Sequence, residues 1–203
     1  MIVKKVQGNK SNRLAKRALV AFGANLPSGG MPPKTAVSAA MDMLEARSGV
    51  TLARSRLWQT PAYPPGAGPA FVNSAVAFDW SGDAEALLSL LHGIELAFGR
   101  SRSARWEARI MDLDLLALGD MVLPDRAEFD RWAGLSPQEA ASVTPDRLIL
   151  PHPRLAERGF VLAPLAEVAG DWRHPVLGKD ASELLAALAP DALEGVVPLP
   201  DGD

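Results

Sequence analysis

Two carboxylates one residue apart offer the clearest chemistry in this sequence. Asp112 and Asp114 lie in the alternating run MDLDLLAL at residues 111–118, a pattern that predicts a β-strand. Because side chains alternate across a strand, both carboxylates should share one face, about 6.6 Å apart, while Leu113 and Leu115 point into the core. Two acids on one face repel unless a cation lies between them, and such hard oxygen ligands suit Mg²⁺. The pair indicates a magnesium site, with a pair of exposed surface acids as the alternative.

A basic segment directly precedes the acidic strand. Between residues 100 and 109 it carries four arginines and one glutamate, with Trp106 among them. The arginines are Arg100, Arg102, Arg105 and Arg109. Their planar guanidinium groups can bind phosphate through paired hydrogen bonds. Beside a two-carboxylate metal site this segment favours phosphoryl transfer, in which metals and cations spread the developing charge. A solvated basic face is the alternative.

A second candidate pocket follows the Pro/Gly-rich stretch TPAYPPGAGP. Phe71 and Asn73 lie two residues apart in a predicted strand at 70–80, so they should share one face. An aromatic ring can stack on a flat heterocycle while an amide offers a donor and an acceptor to its edge. A core phenylalanine beside a turn-capping asparagine is the alternative.

The histidines are scattered, without the HxxxH spacing of a zinc hydrolase. His152 lies between Pro151 and Pro153, whose rings restrict the backbone on both sides. A histidine held in this way can reach a phosphate, and a loop histidine without a role in the site is the alternative. His92 lies in a predicted helix and is expected to be structural. The sequence has no GxxxxGK[ST] phosphate-binding loop and no protein-kinase motif.

Length and composition indicate one globular domain. The chain has 203 residues, 48% of them hydrophobic, and a formal net charge of −3, which gives no general attraction to nucleic acid or anionic membrane. The lack of cysteine excludes disulfides, thiolate zinc sites and a cysteine nucleophile. We expect a flexible basic tail at 1–17, a single domain at 18–203 with an irregular insertion at 125–146, and a cytoplasmic protein.

The order of predicted elements defines the fold class. They are strand 18–23, helix 34–47, strands 50–59 and 70–80, a helix from the N-cap Asp83 to Gly99, strand 111–118, one short helix in the insertion, and helix 181–188. This βαββαβ order predicts an α+β protein with a ferredoxin-like antiparallel sheet, helices packed on it and extra C-terminal helices.

Taken together, these motifs resemble the 6-hydroxymethyl-7,8-dihydropterin pyrophosphokinase family of folate biosynthesis. The matching segments between residues 18 and 172 are GANL, SRLWQTPAY with PAFVNSAV, GRSRSARWEARIMDLDLLALGD, and LILPHPRLAERGFVLAPLAEV. Five features depart from the family: Ala24 replaces the serine of GSN, Glu107-Ala108 replaces the central residues of WGPR, the basic loop is about one residue shorter, the stretch at 125–146 is longer, and the N-terminal tail is extra.

The resemblance implies a function and a set of site residues. It implies transfer of pyrophosphate from MgATP to the pterin hydroxymethyl oxygen, with release of AMP, and two Mg²⁺ ions held by Asp112 and Asp114. The implied catalytic residues are Arg100, Arg102, Arg109, Asp112, Asp114 and His152. The implied ATP-binding residues are Glu95, Arg100, Arg102, Trp106, Arg109, His152 and Arg158. The implied pterin pocket comprises Thr60, Pro61, Phe71, Asn73 and Phe160, with two aromatic rings around the pterin and Asn73 at its edge.

The expected partners are small molecules, ATP and the pterin, with no nucleic acid or membrane, and the chain is expected to be a monomer. One alternative is a homologue that binds nucleotide or pterin without turnover, against which the intact acids, arginines and His152 argue. Another is a different two-metal phosphoryl or nucleotidyl transferase. The negative net charge and the Phe71/Asn73 pocket argue against a polymeric anionic substrate for such an enzyme.

Overall fold

One antiparallel sheet with helices on both faces organises the chain. The computed structural model describes residues 14–62, 68–99 and 110–200. The strands in this part are β1 (Lys16–Ala24), β2 (Ala53–Arg54), β3 (Trp58–Thr60), β4 (Phe71–Trp80), β5 (Asp112–Leu118) and β6 (Val197–Pro198). The sheet order is β5-β1-β4-β3-β6, and β2 pairs with β4. The helices are α1 (Pro33–Ser48), α2 (Ala84–Ala97), α3 (Arg126–Ala133), α4 (Pro137–Ser142), α5 (Gly159–Ala169) and α6 (Ala181–Ala186).

This arrangement confirms the predicted α+β, ferredoxin-like fold. The long strands β1, β4 and β5 follow the predicted order, with β2 and β3 together in the place of the second strand. The predicted strand at 50–59 is interrupted for a local reason. The Ser55 hydroxyl accepts a hydrogen bond from the Ala75 N–H at 2.9 Å, in the place where a strand carbonyl would otherwise bind.

The central strand β1 divides the core into two layers. Val20 and Phe22 face a cluster that includes Leu44 of α1 and Leu91 of α2, whereas Leu19 faces a second cluster built on α5 and α6. The continuous apolar run at residues 18–22 of β1 is typical of a strand covered on both faces. The face toward α5 and α6 is the one that carries the candidate site.

The predicted N-cap of helix α2 is confirmed. The Asp83 carboxylate accepts a hydrogen bond from the Ala86 N–H at 2.8 Å at the start of α2. Beyond the end of α2, Gly99 has a φ of 87°, a conformation that glycine adopts without a steric penalty.

Three predictions of element boundaries are corrected. Strand β1 begins at Lys16, so the last two residues assigned to the tail belong to the sheet, and residues 1–13 lie outside the described part. The insertion at 125–146 is not irregular with one short helix but holds both α3 and α4. The last helix, α6, ends at Ala186, two residues earlier than predicted.

Helix α5 was not predicted. It contains Pro164, whose ring removes one backbone hydrogen bond, and it is apolar on several sides because it packs under the sheet. Among the described residues, no helix has the length and apolar character needed to span a membrane.

Candidate active site

The two groups of predicted site residues meet on one face of the sheet. In the register of β1, Gly23 lies opposite Asn73 of β4 on one side and opposite Asp112 of β5 on the other. Asn73 and Asp112 are therefore two strands apart, about 10 Å between their backbones. Both alternate with residues that face α1 and α2, so both point to the opposite, α5 side. The strand between them carries no side chain at Gly23.

The acidic strand has the alternation that its sequence predicts. Leu113 and Leu115 are buried in the cluster with α1 and α2, and Asp112 and Asp114 are partly exposed on the other face. The Glu95 carboxylate of α2 is only 2% exposed and accepts a hydrogen bond from the Leu113 N–H at 2.9 Å. It thus fixes the edge strand at the residue between the two aspartates.

His152 is fastened beside the acidic strand. Its backbone N–H donates to the Leu116 carbonyl of β5 at 2.7 Å, and its Nδ1 accepts from the Arg154 N–H at 3.2 Å. The pKa of His152 is lowered to about 3, mainly by burial. The positive charge of Arg158 also lowers this pKa, and its effect is larger than the opposing effect of the negative charge of Asp112. The ring is therefore neutral near pH 7, with its proton on Nε2, and it presents an uncharged N–H donor.

Arg158 connects the acidic strand with the aromatic side of the site. One guanidinium nitrogen lies 3.8 Å from Asp114 Oδ2, and the guanidinium carbon lies 5.7 Å from the centre of the Phe160 ring. Arg158 is also the residue that precedes α5. The chain turn at the start of this helix therefore places a cation and an aromatic ring at adjacent positions.

The second group of residues is already joined by a hydrogen bond. Asn73 Nδ2 donates to Thr60 Oγ1 at 2.8 Å, and both side chains are buried. The pairing of β3 with β4 sets Thr60 opposite Phe71, which is partly buried. The Thr60 bond fixes the amide so that Asn73 Oδ1 lies toward β1, where a Cβ on Gly23 would be only 2.9 Å from it.

The other predicted pocket residues lie at the rim. Phe160 has 39% of its surface exposed, which leaves its ring accessible to a ligand. Pro61 lies against the C-terminal segment, where a Cβ on Gly195 would be 3.1 Å from its ring. The predicted site residues Arg100, Arg102, Trp106 and Arg109 lie outside the described residues.

A cavity of about 690 Å³ opens along the acidic strand. Its wall includes five predicted site residues, which are Glu95, Asp112, Asp114, His152 and Arg158. The wall also includes His92, which we expected to be only structural, and residues of the insertion, among them Ala140, Val143 and Asp146. The volume lies in the range of small-molecule sites.

The residues present fit a magnesium ion that is completed by a substrate. Within the described residues, no group of three or more Asp, Glu, His or Cys side chains is close enough to hold a metal by itself. Two carboxylates facing one cavity match Mg²⁺, which commonly takes one or two protein carboxylates together with water and phosphate oxygens.

Sequence reasoning missed two features of this site. Gly23 was read only as part of the motif GANL, because its two partners are distant in sequence. Asn25 is buried beside the segment that precedes β4, where its Nδ2 donates a hydrogen bond to the Pro69 carbonyl at 3.4 Å. Its Oδ1 has no hydrogen-bond partner among the described residues. Its place in the motif GANL, two residues after Gly23, was the only available signal.

Solved structures define the class to which the fold belongs. Wild-type HPPK-DHPS from Plasmodium falciparum matches with a TM-score of 0.59 at 14% identity, over 87% of this chain and 45% of that chain. A crystal structure of HPPK-DHPS in complex with substrates matches with a TM-score of 0.60 at 11% identity, over 86% of this chain and 43% of that one. This chain therefore spans less than half of those proteins, and the likeness shows that its fold is that of an HPPK domain.

Sequence comparison identifies the family. A family model described as 7,8-dihydro-6-hydroxymethylpterin-pyrophosphokinase (HPPK) matches residues 19–170. Proteins named 2-amino-4-hydroxy-6-hydroxymethyldihydropteridine pyrophosphokinase are 35% identical in Methylorubrum extorquens, over 89% of this chain and 98% of the relative, and 35% identical in Pseudomonas aeruginosa, over 92% and 99%. The chain belongs to the 7,8-dihydro-6-hydroxymethylpterin-pyrophosphokinase family, and the resemblance stated from its motifs is confirmed.

Proposed function

We propose that this chain transfers a pyrophosphoryl group from MgATP to the hydroxymethyl oxygen of 6-hydroxymethyl-7,8-dihydropterin in folate biosynthesis. The pterin oxygen forms a bond to the β-phosphorus, the bond between that phosphorus and the oxygen bridging to the α-phosphate breaks, and the hydroxyl proton is released. The products are AMP and the pterin diphosphate. The family and the names of its relatives support this reaction.

The observation that carries the proposal is the position of Gly23 between Asn73 and Asp112. A heterocycle whose edge is held at Asn73 and a phosphate chain held near Asp112 would meet above a strand position without a side chain. Holding two reactants in contact range lowers the entropic barrier of their reaction. The separation of about 10 Å between the two backbones leaves room for both reacting groups.

For the pterin, we assign recognition to the pair Asn73 and Thr60. Because Thr60 already binds the amide nitrogen, Asn73 Oδ1 is directed as an acceptor for an N–H donor at the heterocycle edge. Phe71 and Phe160 are assigned to the two faces of the ring, where aromatic stacking adds to apolar burial. Pro61 closes the rim of this half.

For ATP, we assign metal binding to Asp112 and Asp114, with two Mg²⁺ ions. Bound Mg²⁺ would neutralise charge on the phosphate oxygens during transfer. His152 donates its Nε2–H to a phosphate oxygen as a neutral group, and Arg158 supplies a fixed positive charge. Glu95 acts through the backbone of Leu113, by holding the acidic strand in place. Arg100, Arg102, Arg109 and Trp106 are assigned to the same phosphate chain from the preceding basic segment.

The cytoplasmic location, the monomeric state and the lack of a nucleic-acid partner stay predictions. Two alternative functions also stay open to test. One is binding of nucleotide or pterin without turnover, and the other is a different two-metal phosphoryl or nucleotidyl transfer.

Product analysis distinguishes these functions. The purified chain is incubated with MgATP, with and without 6-hydroxymethyl-7,8-dihydropterin, and the nucleotides and pterins are separated by chromatography. We expect AMP and pterin diphosphate in equal amounts, formed only when the pterin is present. Formation of ADP or free pyrophosphate would contradict the proposed transfer. Tight binding of both substrates without AMP would identify a binding homologue.

A further inference from the structure

The insertion at 125–146 is an ordered wall of the cavity. The chain leaves and re-enters the domain at one point, because Leu123 and Leu150 exchange backbone hydrogen bonds of 2.8 and 3.1 Å. Helix α4 begins with a capping box, in which Ser136 Oγ accepts from the Glu139 N–H at 3.3 Å and Glu139 accepts from the Ser136 N–H at 2.8 Å. Backbone hydrogen bonds thus join the two ends of the insertion, and a capping box stabilises the helix within it.

The insertion is also anchored through a small core of its own. Phe129 and Trp132 of α3 are buried against Ile149, which lies on the returning chain. The Phe129 ring makes an edge contact with His174, with 5.6 Å between the ring centres. These contacts fix α3 to the domain, and the chain that follows α4 turns along the cavity.

The lining of the cavity is of two chemical kinds. Strand β5 and the segment after it contribute charged and polar groups, among them Asp112, Asp114, His152 and Arg158. The insertion and its flanks contribute an apolar set, consisting of Trp132, Ala140, Val143, Leu148 and Ile149, with the polar residues Thr144, Asp146 and Arg147 beside it. Val143 lies on this wall with 46% of its surface exposed, which is a large exposed fraction for an apolar residue.

We infer that the insertion forms the binding wall for the base of the nucleotide. This inference rests on the proposed function, because it requires the phosphate chain to lie along the acidic strand. A nucleoside triphosphate carries its charge at one end and a flat base with apolar faces at the other, which matches the two kinds of lining. Ala140 and Val143 contact the base, and Trp132 contributes to the same wall from the small core of α3.

Binding of ATP compared with inorganic tripolyphosphate tests the wall, because tripolyphosphate has the charges but no base. Dissociation constants for both ligands with Mg²⁺ are measured by calorimetry for the parent chain, Val143→Asn and Leu177→Asn. Leu177 is a matched control, since it is 47% exposed and does not line the cavity. We expect Val143→Asn to weaken ATP about fivefold, through lost apolar contact, and to leave tripolyphosphate unchanged. Leu177→Asn should change neither.

A second pair of variants tests the same wall by filling it. Ala140→Trp should weaken ATP more than tenfold with tripolyphosphate binding retained, and Ala127→Trp on the exposed side of α3 should have no effect. Unchanged ATP binding in both Val143→Asn and Ala140→Trp, or equal loss of both ligands, would overturn the inference. The AMP assay is independent of this binding test. If the variants change ATP binding but not tripolyphosphate binding, and the parent chain forms no AMP, the proposed function is rejected and the binding wall stands.

Discussion

The two halves of the site on either side of Gly23 are built differently. On the Asn73 side, the recognition groups are buried and joined by the 2.8 Å hydrogen bond from Asn73 to Thr60. On the Asp112 side, two partly exposed carboxylates share a face, and a guanidinium nitrogen of Arg158 lies 3.8 Å from Asp114 Oδ2. One half is joined by this hydrogen bond before any ligand binds, and under the proposed function the other half is completed by a cation and phosphate.

We expect this difference to separate recognition of the pterin from the chemical step. A preformed pocket loses little entropy when its ligand binds, so most of its interactions are realised in the ground state. A pair of acids that requires metal and phosphate contributes where charge develops during transfer. Variants on the Asn73 side should therefore change pterin affinity, and variants on the Asp112 side should change the rate of the chemical step.

The largest expected effect is on the acidic side. Asp112→Asn or Asp114→Asn should lower kcat about a thousandfold, because a lost metal ligand removes several kcal/mol of charge stabilisation. Steady-state AMP formation at saturating Mg²⁺ measures this. Asp120→Asn, in the turn that follows the same strand, is the control and should retain parent activity. Parent rates in either site variant would refute the metal assignment.

The next effect is on the recognition side. Asn73→Ala should weaken pterin binding about ten- to a hundredfold, because the pterin edge and the Thr60 hydroxyl both lose a buried partner. Phe71→Leu should weaken it less, since leucine keeps apolar contact and loses the stacking geometry. Equilibrium titration with a non-reacting pterin analogue measures both. If Asn73→Ala binds the analogue as tightly as the parent, the pterin lies elsewhere.

A change at the boundary of the two halves should have an intermediate effect. In Gly23→Ala the new methyl would lie 2.9 Å from Asn73 Oδ1, so the amide must shift, and we expect pterin affinity to fall about tenfold. A double-mutant cycle with Asn73→Ala isolates the cause. Once Asn73 is alanine, the methyl should have little further effect. Additive losses would show that Gly23 acts independently of Asn73.

How much of this site could be predicted depends on sequence distance. The alternation of Asp112 with Leu113 and the cap at Asp83 are local, because a strand period and a helix terminus each involve only a few neighbouring residues. The convergence on Gly23 depends on the register of three strands that are far apart in the chain, which periodicity does not give. Single motifs therefore indicated the two halves, and only the sheet places them side by side.

The helices of the insertion carry a local signal in the sequence. The polar composition of the insertion suggested irregular chain, yet Ser136 and Glu139 have the spacing of a capping box. Helix α5 could not be predicted for a physical reason. Pro164 is unfavourable within a helix and is tolerated there only because the helix packs under the sheet.

The smallest effect on turnover is expected at His174, which lies outside both halves of the site. Its expected effect is on the stability of the fold. Burial lowers its pKa to about 4, and its Nδ1 accepts from the backbone N–H groups of Val176 and Leu177, each at 3.2 Å. The ordinary pKa in an unfolded chain is about 6.5. Below that pH the unfolded state takes up a proton that the folded state excludes, so stability falls as the pH falls.

The loss should amount to about 1 kcal/mol per pH unit between pH 6.5 and 4 and should stop below that range. Urea unfolding at several pH values measures it. His174→Gln should be less stable at pH 7 but should have a flatter pH dependence in this window. An unchanged slope would assign the acid sensitivity to other groups.

The most direct test of the separation between the two halves is a binding matrix. The parent, Asn73→Ala and Asp114→Asn are each titrated with a pterin analogue and, separately, with the Mg²⁺ complex of a non-hydrolysable ATP analogue. We predict a crossed pattern: Asn73→Ala loses pterin affinity and keeps the nucleotide, and Asp114→Asn keeps pterin affinity while its Mg²⁺-dependent nucleotide binding falls. Equal loss of both ligands in either variant would contradict two separable halves on one sheet face.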